Sequence, residues 1–210
     1  MKSFTTITSH VVPIPRKDID TDLIFPADFL NTTSREGFAE MLFARVRNSD
    51  PDFRFVDERK DAQILVARDN FGCGSSREHA VWSILDAGFR VVIAPSFANI
   101  FQNNALKNGL LTVVLSQDSV EQILEDSGNP PQSPFIKGEG RRDFLLTVHL
   151  EKQKVILPNK KEYEFEIDAY RKDCILSGMD DFDYLLSHAE EIREFDAQKK
   201  EKRFFNILNI

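Results

Sequence analysis

Three short apolar runs, Ile64–Ala67, Arg90–Ala94 and Leu110–Leu115, constrain the fold of this chain more than any other feature. A strand with one wet face alternates apolar and polar residues. A nearly unbroken run of this length reads as a strand covered on both faces, the pattern of a buried parallel sheet. Between the first two runs lies helical spacing at Ala80, Val81, Ile84 and Leu85, stopped by Gly88. Between the second and third, Ser96–Lys107 reads as a helix with Phe97, Ile100, Phe101 and Leu106 inward, closed by Asn108-Gly109. The order β-α-β-α-β implies parallel pairing through right-handed crossovers.

The flanks fill in around this centre. Phe4–Ile14 reads as a first strand ending among Pro13 and Pro15, Gly37–Val46 as a helix, and Asn48–Asp52 as a loop. Val120–Glu125 predicts a short helix, and the Pro- and Gly-rich Gly128–Arg142 a surface loop. Phe144–His149, Val155–Leu157 and Tyr163–Ile167 read as antiparallel strands with a turn at Asn159–Lys161. Asp168–Ser177 and Asp180–Phe195 read as helices. No internal repeat is visible. The expected class is mixed α/β: a short parallel core with added antiparallel strands, one domain over residues 1–210 with a C-terminal helical extension from about residue 180.

Charge narrows the function classes. With 27 Lys and Arg against 34 Asp and Glu, the net charge is −7, which argues against a nucleic-acid partner. No apolar run approaches the ~20 residues of a bilayer span, and Met1–Thr6 lacks the apolar stretch of a secretory signal, so a cytoplasmic protein is the expectation. The two cysteines, Cys73 and Cys174, lie far apart without CxxC spacing and are expected as free thiols. Two thiols are too few for an ordinary iron–sulfur site.

The richest stretch is Asn70-Phe71-Gly72-Cys73-Gly74-Ser75-Ser76-Arg77-Glu78-His79-Ala80. Ser75 and Glu78 have the spacing of a capping box, which would account for them without chemistry. A dinucleotide loop would need a third glycine where Arg77 stands, and a Walker loop would need Gly-Lys-Ser/Thr. The hydrolase elbow fails because no glycine follows either serine at the right offset. Cys73 and His79 have no evident third metal ligand. A further reading is anion binding: free N–H groups at a helix start attract a carboxylate, and Arg77 adds a matching planar fork. A serine there could act as a base only if that positive field stabilised its alkoxide. A small carboxylic acid suits such a site. Upstream, Asp18, Asp20 and Asp22 alternate as in a calcium loop. No glycine follows Asp22, and Phe29 stands where the bidentate glutamate belongs, so an EF-hand is excluded and an Asx-type turn remains.

Gly72–Ala80, Pro95–Phe101 and Asn108–Leu111 together resemble the swivelling domain of the aconitase superfamily and, within it, the stand-alone small subunits of 3-isopropylmalate dehydratases. Asp20–Ile24, Pro26, Phe29-Leu30, Gly37-Phe38, Phe165–Tyr170 and Gly178–Asp181 carry the resemblance over nearly the whole chain. It implies an aconitase-type swivelling β/β/α fold and a hydro-lyase active only with a large subunit, as a heterodimer or larger assembly. That partner would hold a [4Fe–4S] cluster as Lewis acid, with no metal bound by this chain. It further implies the isomerisation of 2-isopropylmalate to 3-isopropylmalate, by dehydration and rehydration, in leucine biosynthesis. By position, Ser75 matches the base that takes the proton next to a carboxylate, and Arg77 the group that binds a carboxylate and stabilises the charged serine. Ser76 and Gly74 join the substrate contacts, with Thr21 and Asp22 in a loop that approaches them.

The chain also departs from the family's pattern. Relatives often place a basic residue soon after the Phe-Leu pair, in a loop that senses the substrate's side chain. Here Asn31-Thr32-Thr33-Ser34 intervenes and Arg35 is the first basic residue, hence the candidate contact. Sister reactions on methylmalate/citraconate or homoaconitate therefore stay open, as do a non-catalytic carboxylate-binding module and a homo-oligomer of the isolated chain.

Overall fold

The computed structural model describes residues 1–29, 37–50, 53, 61–75, 77–127 and 144–208, with side chains to residue 199. Seven strands form one sheet: β1 (Thr6–Ile14), β2 (Ile64–Ala67), β3 (Val91–Ala94), β4 (Leu111–Val114), β5 (Leu145–His149), β6 (Lys154–Ile156) and β7 (Glu162–Glu164). The spatial order is β4-β3-β2-β1-β5-β6-β7. Pairing is parallel from β4 to β1 and antiparallel from β1 to β7. β1 serves both halves. Its first residues, Thr6–His10, run antiparallel to β5, and Val11–Ile14 run parallel to β2.

Among the described residues the helices are α1 (Thr21–Ile24), α2 (Phe38–Met41), α3 (Ala44–Ser49), α4 (Glu78–Asp86), α5 (Asn99–Lys107), α6 (Gln117–Asp126), α7 (Ala169–Ser177), α8 (Asp181–Ser187) and α9 (Ala189–Leu208), with a 3₁₀ turn at Ala27–Phe29.

The unbroken apolar runs have the cause their pattern suggested. Ile64 and Val66 of β2 enter the cluster that holds Val120, Ile123 and Leu124 of α6, while Leu65 and Ala67 enter the opposite cluster with Ala80, Val81 and Ile84 of α4. β3 divides in the same way, Val91 and Ile93 against Val92 and Ala94. Both faces are dry, so each side chain contributes to burial, at about 1.5–3 kcal/mol for a Val, Leu or Ile. In β5, by contrast, Leu146 and Val148 are buried while Leu145 is exposed, the alternation of a strand with one open face.

Several local expectations give way to tertiary contacts. The helix expected over Gly37–Val46 is two helices, because Phe43 takes a left-handed conformation (φ 55°). Its N–H donates to Ile24 O at 2.8 Å and its buried ring meets Phe53 edge-on at 5.1 Å, contacts a continuous helix would forfeit. α3 also extends through Ser49, into the stretch expected as a loop. At the far end the expected helix over Asp180–Phe195 is broken at His188 into α8 and α9. The loop expected over Gly128–Arg142 lies outside the described residues.

Candidate active site

The segments that follow β1, β2 and β3 meet at the carboxyl ends of those strands, the usual place for a ligand in a parallel α/β sheet. Backbone bonds stitch them together. Gly72 N–H donates to Ile19 O at 2.7 Å and Thr21 N–H to Cys73 O at 2.9 Å, joining the first segment to the second. Phe71 N–H donates to Ser96 O (3.1 Å) and Ala98 N–H to Phe71 O (3.0 Å), joining the second to the third. The buried Thr21 hydroxyl adds a 2.7 Å bond to Ser75 O. Between the segments lies a cleft of about 300 Å³ lined by Thr21, Gly72, Gly74, Ser75, Arg77, Ala98, Asn99, Ile100 and Phe101.

Gly72 is fixed by its surroundings. Its φ is +76°, and a Cβ there would stand 2.1 Å from Cγ of Phe101. That ring is buried and fills the floor of the cleft beneath the glycine.

The structure brings Ser75, Arg77, Gly74 and Thr21 into one cleft wall. Ser75 is exposed, and its carbonyl rather than its hydroxyl is held by Thr21. Asp22 stands behind Arg77 instead of lining the cleft. One carboxylate oxygen accepts from Arg77 (2.6 Å) and from Ala27 N–H (2.9 Å), and the other from Arg45 (2.9 Å). The Arg77 bond, with help from Ala27 and Arg45, holds the Asp22 carboxyl below the usual carboxylate range against the opposing effect of burial. Asp22 thus orients Arg77 and offsets part of its charge. Ser76 and Arg35 lie outside the described residues.

The alternating acids have ordinary structural partners. Asp18 accepts from the Asn70 side chain at 2.7 Å, and Asp20 caps α1 by accepting from Leu23 N–H at 2.6 Å, the Asx-type role read from the sequence. Among the described residues no cluster of three His, Cys, Asp or Glu side chains could hold a metal ion. Burial, with the nearby Asp20 and Asp18 charges, pushes the Cys73 thiol up, away from nucleophilic chemistry.

One sequence reading is overturned. Ser75 and Glu78 do not form a capping box: α4 begins at Glu78, its N-cap is Arg77, and the Arg77 side chain makes no capping bond. The Glu78 carboxylate instead accepts from Asn108 Nδ2 at 2.8 Å, while Asn108 Oδ1 accepts from Trp82 Nε1 at 3.0 Å. This ties α4 to the end of α5, thirty residues away in sequence, so the spacing within the motif could not reveal it. The N-cap of α5, Ala98, also lacks a capping side chain. Both N-caps line the cleft, which sets two helix starts without an N-cap side-chain bond, and the partial positive charge of such starts, at its edge.

Sequence reasoning also missed Ile100. Expected inward, it is 55% exposed and lines the cleft. The available signal was the i, i+4, i+8 spacing of Phe97, Phe101 and Ala105, which claims the inward face without it.

Comparison with known proteins gives consistent results. Residues 1–118 match the family model of the aconitase C-terminal domain. The 3-isopropylmalate dehydratase small subunit of Francisella philomiragia is 41% identical, covering 95% of this chain and 100% of the relative. That of Jannaschia sp. is 43% identical over 97% of this chain and 98% of the relative. The crystal structure of 3-isopropylmalate dehydratase (leuD) from Methanocaldococcus jannaschii superimposes with a TM-score of 0.61 at 28% identity, covering 93% of this chain and 99% of that one.

Proposed function

The chain belongs to the family of 3-isopropylmalate dehydratase small subunits, and on that premise we propose that its cleft supplies the proton-transfer and carboxylate-binding half of a hydro-lyase site completed by a large subunit. The reaction is the isomerisation of 2-isopropylmalate to 3-isopropylmalate in leucine biosynthesis. The observation that carries this reading is the convergence of Ser75, Arg77 and two uncapped helix starts on one cleft at the strand ends.

One substrate carboxylate sits against Arg77 and the helix N-termini, whose partial positive charge favours an anion. That places the carbon next to the carboxylate beside Ser75. The same positive field lowers the cost of a serine alkoxide, so Ser75 takes the proton in dehydration and returns it to form the hydrated isomer. Thr21 fixes the Ser75 backbone, and Asp22, held in turn by Arg45, fixes the guanidinium. Ser76 and Arg35 remain candidate contacts.

Departure of the hydroxyl calls for a Lewis acid, which a [4Fe–4S] cluster supplies in this family. The donor set of this chain does not fit such a cluster: it has two thiols, Cys73 in the β2–α4 loop and Cys174 buried in α7. We therefore assign the cluster to the large subunit. Relatives bearing the name small subunit point to a heteromeric enzyme. Among the described residues no helix is long and apolar enough to cross a membrane.

The test is turnover of 2-isopropylmalate by this chain mixed anaerobically with its cognate large subunit carrying an intact cluster. Methylmalate and homocitrate run in parallel. Activity on 2-isopropylmalate that needs both chains is the expected result. Activity confined to a competitor would overturn the substrate, and a verified complex inert on all three would favour a carboxylate-binding module.

A further inference from the structure

Among the described residues, Ile100 is the large apolar side chain that the structure leaves exposed inside the cleft, at 55%. Its placement follows from its neighbour. Phe101 is buried beneath Gly72, edge-on to Phe71 at 5.3 Å and stacked with Phe97 at 6.4 Å. One residue back along the helix is a rotation of about 100°, which turns Ile100 out of the core and onto the wall shared with Gly74, Ser75 and Arg77. The contact that fixes the Gly72 turn therefore also fixes where Ile100 stands relative to Ser75.

The substrate of the proposed reaction has two carboxylates and one branched hydrocarbon arm. Arg77 and the helix N-termini suit a carboxylate, and nothing about them recognises the arm. Among the described residues Ile100 is the complementary surface: apolar, β-branched and stiff, it loses little side-chain entropy on contact. Ala98, the N-cap two residues earlier, also lines the cleft and is small enough to leave room beside it. We propose that Ile100 is a specificity-determining residue that packs against the substrate's hydrocarbon arm and so favours a branched dicarboxylate over a smaller or a more charged one. This inference rests on the proposed reaction.

The test compares wild type, Ile100→Ala and Ile100→Leu, each assembled with the cognate large subunit at saturating concentration, on 2-isopropylmalate and on 2-methylmalate. Loss of a few methylenes from an apolar subsite lowers kcat/KM by about ten- to a hundredfold. Ile100→Ala should show that loss on 2-isopropylmalate, carried mainly by KM, with little change on 2-methylmalate, whose arm is too short to reach. Ile100→Leu should recover most of it. Equal losses on both substrates would mean that Ile100 contacts the large subunit instead, and would overturn the inference. So would an unchanged selectivity. Wild-type complex inert toward 2-isopropylmalate would overturn the proposed reaction and this inference together, whereas an active wild type with unshifted variants overturns this inference alone.

Discussion

Two pairs of helices of almost equal length begin in opposite ways. α6 and α7 start behind Ser116 and Asp168, whose side chains accept from Ser119 N–H (3.2 Å) and Arg171 N–H (3.1 Å). α4 and α5 start behind Arg77 and Ala98, which provide no such bond. A side-chain cap contributes about 1 kcal/mol, so the second pair forgoes stability that the first pair keeps. The difference follows location. α6 and α7 contribute Val120, Ile123, Leu124 and Ile175 to the cluster on one face of the sheet, and the N-caps of α4 and α5 open on the cleft. A capping carboxylate or hydroxyl there would occupy the N–H groups that an anionic ligand needs.

Five measurements sharpen or break this contrast. The largest effect is expected from Ser75→Ala, which should cut turnover of the assembled enzyme by about 10²–10⁴-fold. Thermal unfolding and subunit association should hold steady, because the fold uses the Ser75 carbonyl and not its side chain. Near-normal turnover would remove Ser75 as the base.

Next is Gly72→Ala, which forces a methyl group against Phe101 at a left-handed φ. Overpacking and backbone strain together should cost about 3 kcal/mol in denaturant unfolding. A loss within experimental error would mean that the cleft floor is softer than its packing indicates.

Ala98→Asp addresses the contrast directly. It gives α5 the cap it lacks, so the melting temperature should rise, and it sets a carboxylate where the substrate's should go, so KM should rise about tenfold or more. A rise in stability with KM unchanged would break the link between missing caps and anion binding. The converse variant, Ser116→Ala on α6, should lose about 1 kcal/mol of stability and leave the kinetics alone.

The smallest effect concerns acid. Because Asp22 is held below its ordinary value of 3.8, chiefly by Arg77, its contribution to stability is present in full above that value and fades as pH falls through the lower folded value. With its side chain 40% exposed, the size should stay below about 1 kcal/mol. The stability difference between wild type and Asp22→Asn should be flat above about pH 5 and shrink below about pH 4. A difference that grew on acidification would reverse the assigned sign.

Much of this contrast was legible in the residues. Ile64–Ala67 and Val91–Ala94 are strands because an unbroken apolar run is stable only where both faces are dry, and that pattern is local. The residues that meet in the cleft were visible as a motif, since Gly72, Gly74, Ser75 and Arg77 adjoin in sequence. The role of Glu78 was not legible. A capping box and a side chain reaching Asn108 have the same sequence at positions 75–78, and only the position of α5 tells them apart. The breaks at Phe43 and His188 were hidden for a similar reason. Helical periodicity continues across each, while at Phe43 the competing bond comes from Ile24, a residue outside the window.

Sequence alone therefore determined what depends on neighbours along the chain: the strand runs, the parallel order, the sharp turn at the paired glycines, and the chemical groups on offer. Tertiary structure decided what depends on groups brought together from different strands. Asp22 and Arg77 pair across 55 residues, β1 joins the parallel and antiparallel halves, and Phe101 takes the space beneath Gly72 so that Ile100 must turn outward. Helical period gives the angle between two residues, but not which of them finds an empty space to fill. That is settled by close packing against another segment, where a single occupied volume excludes every alternative.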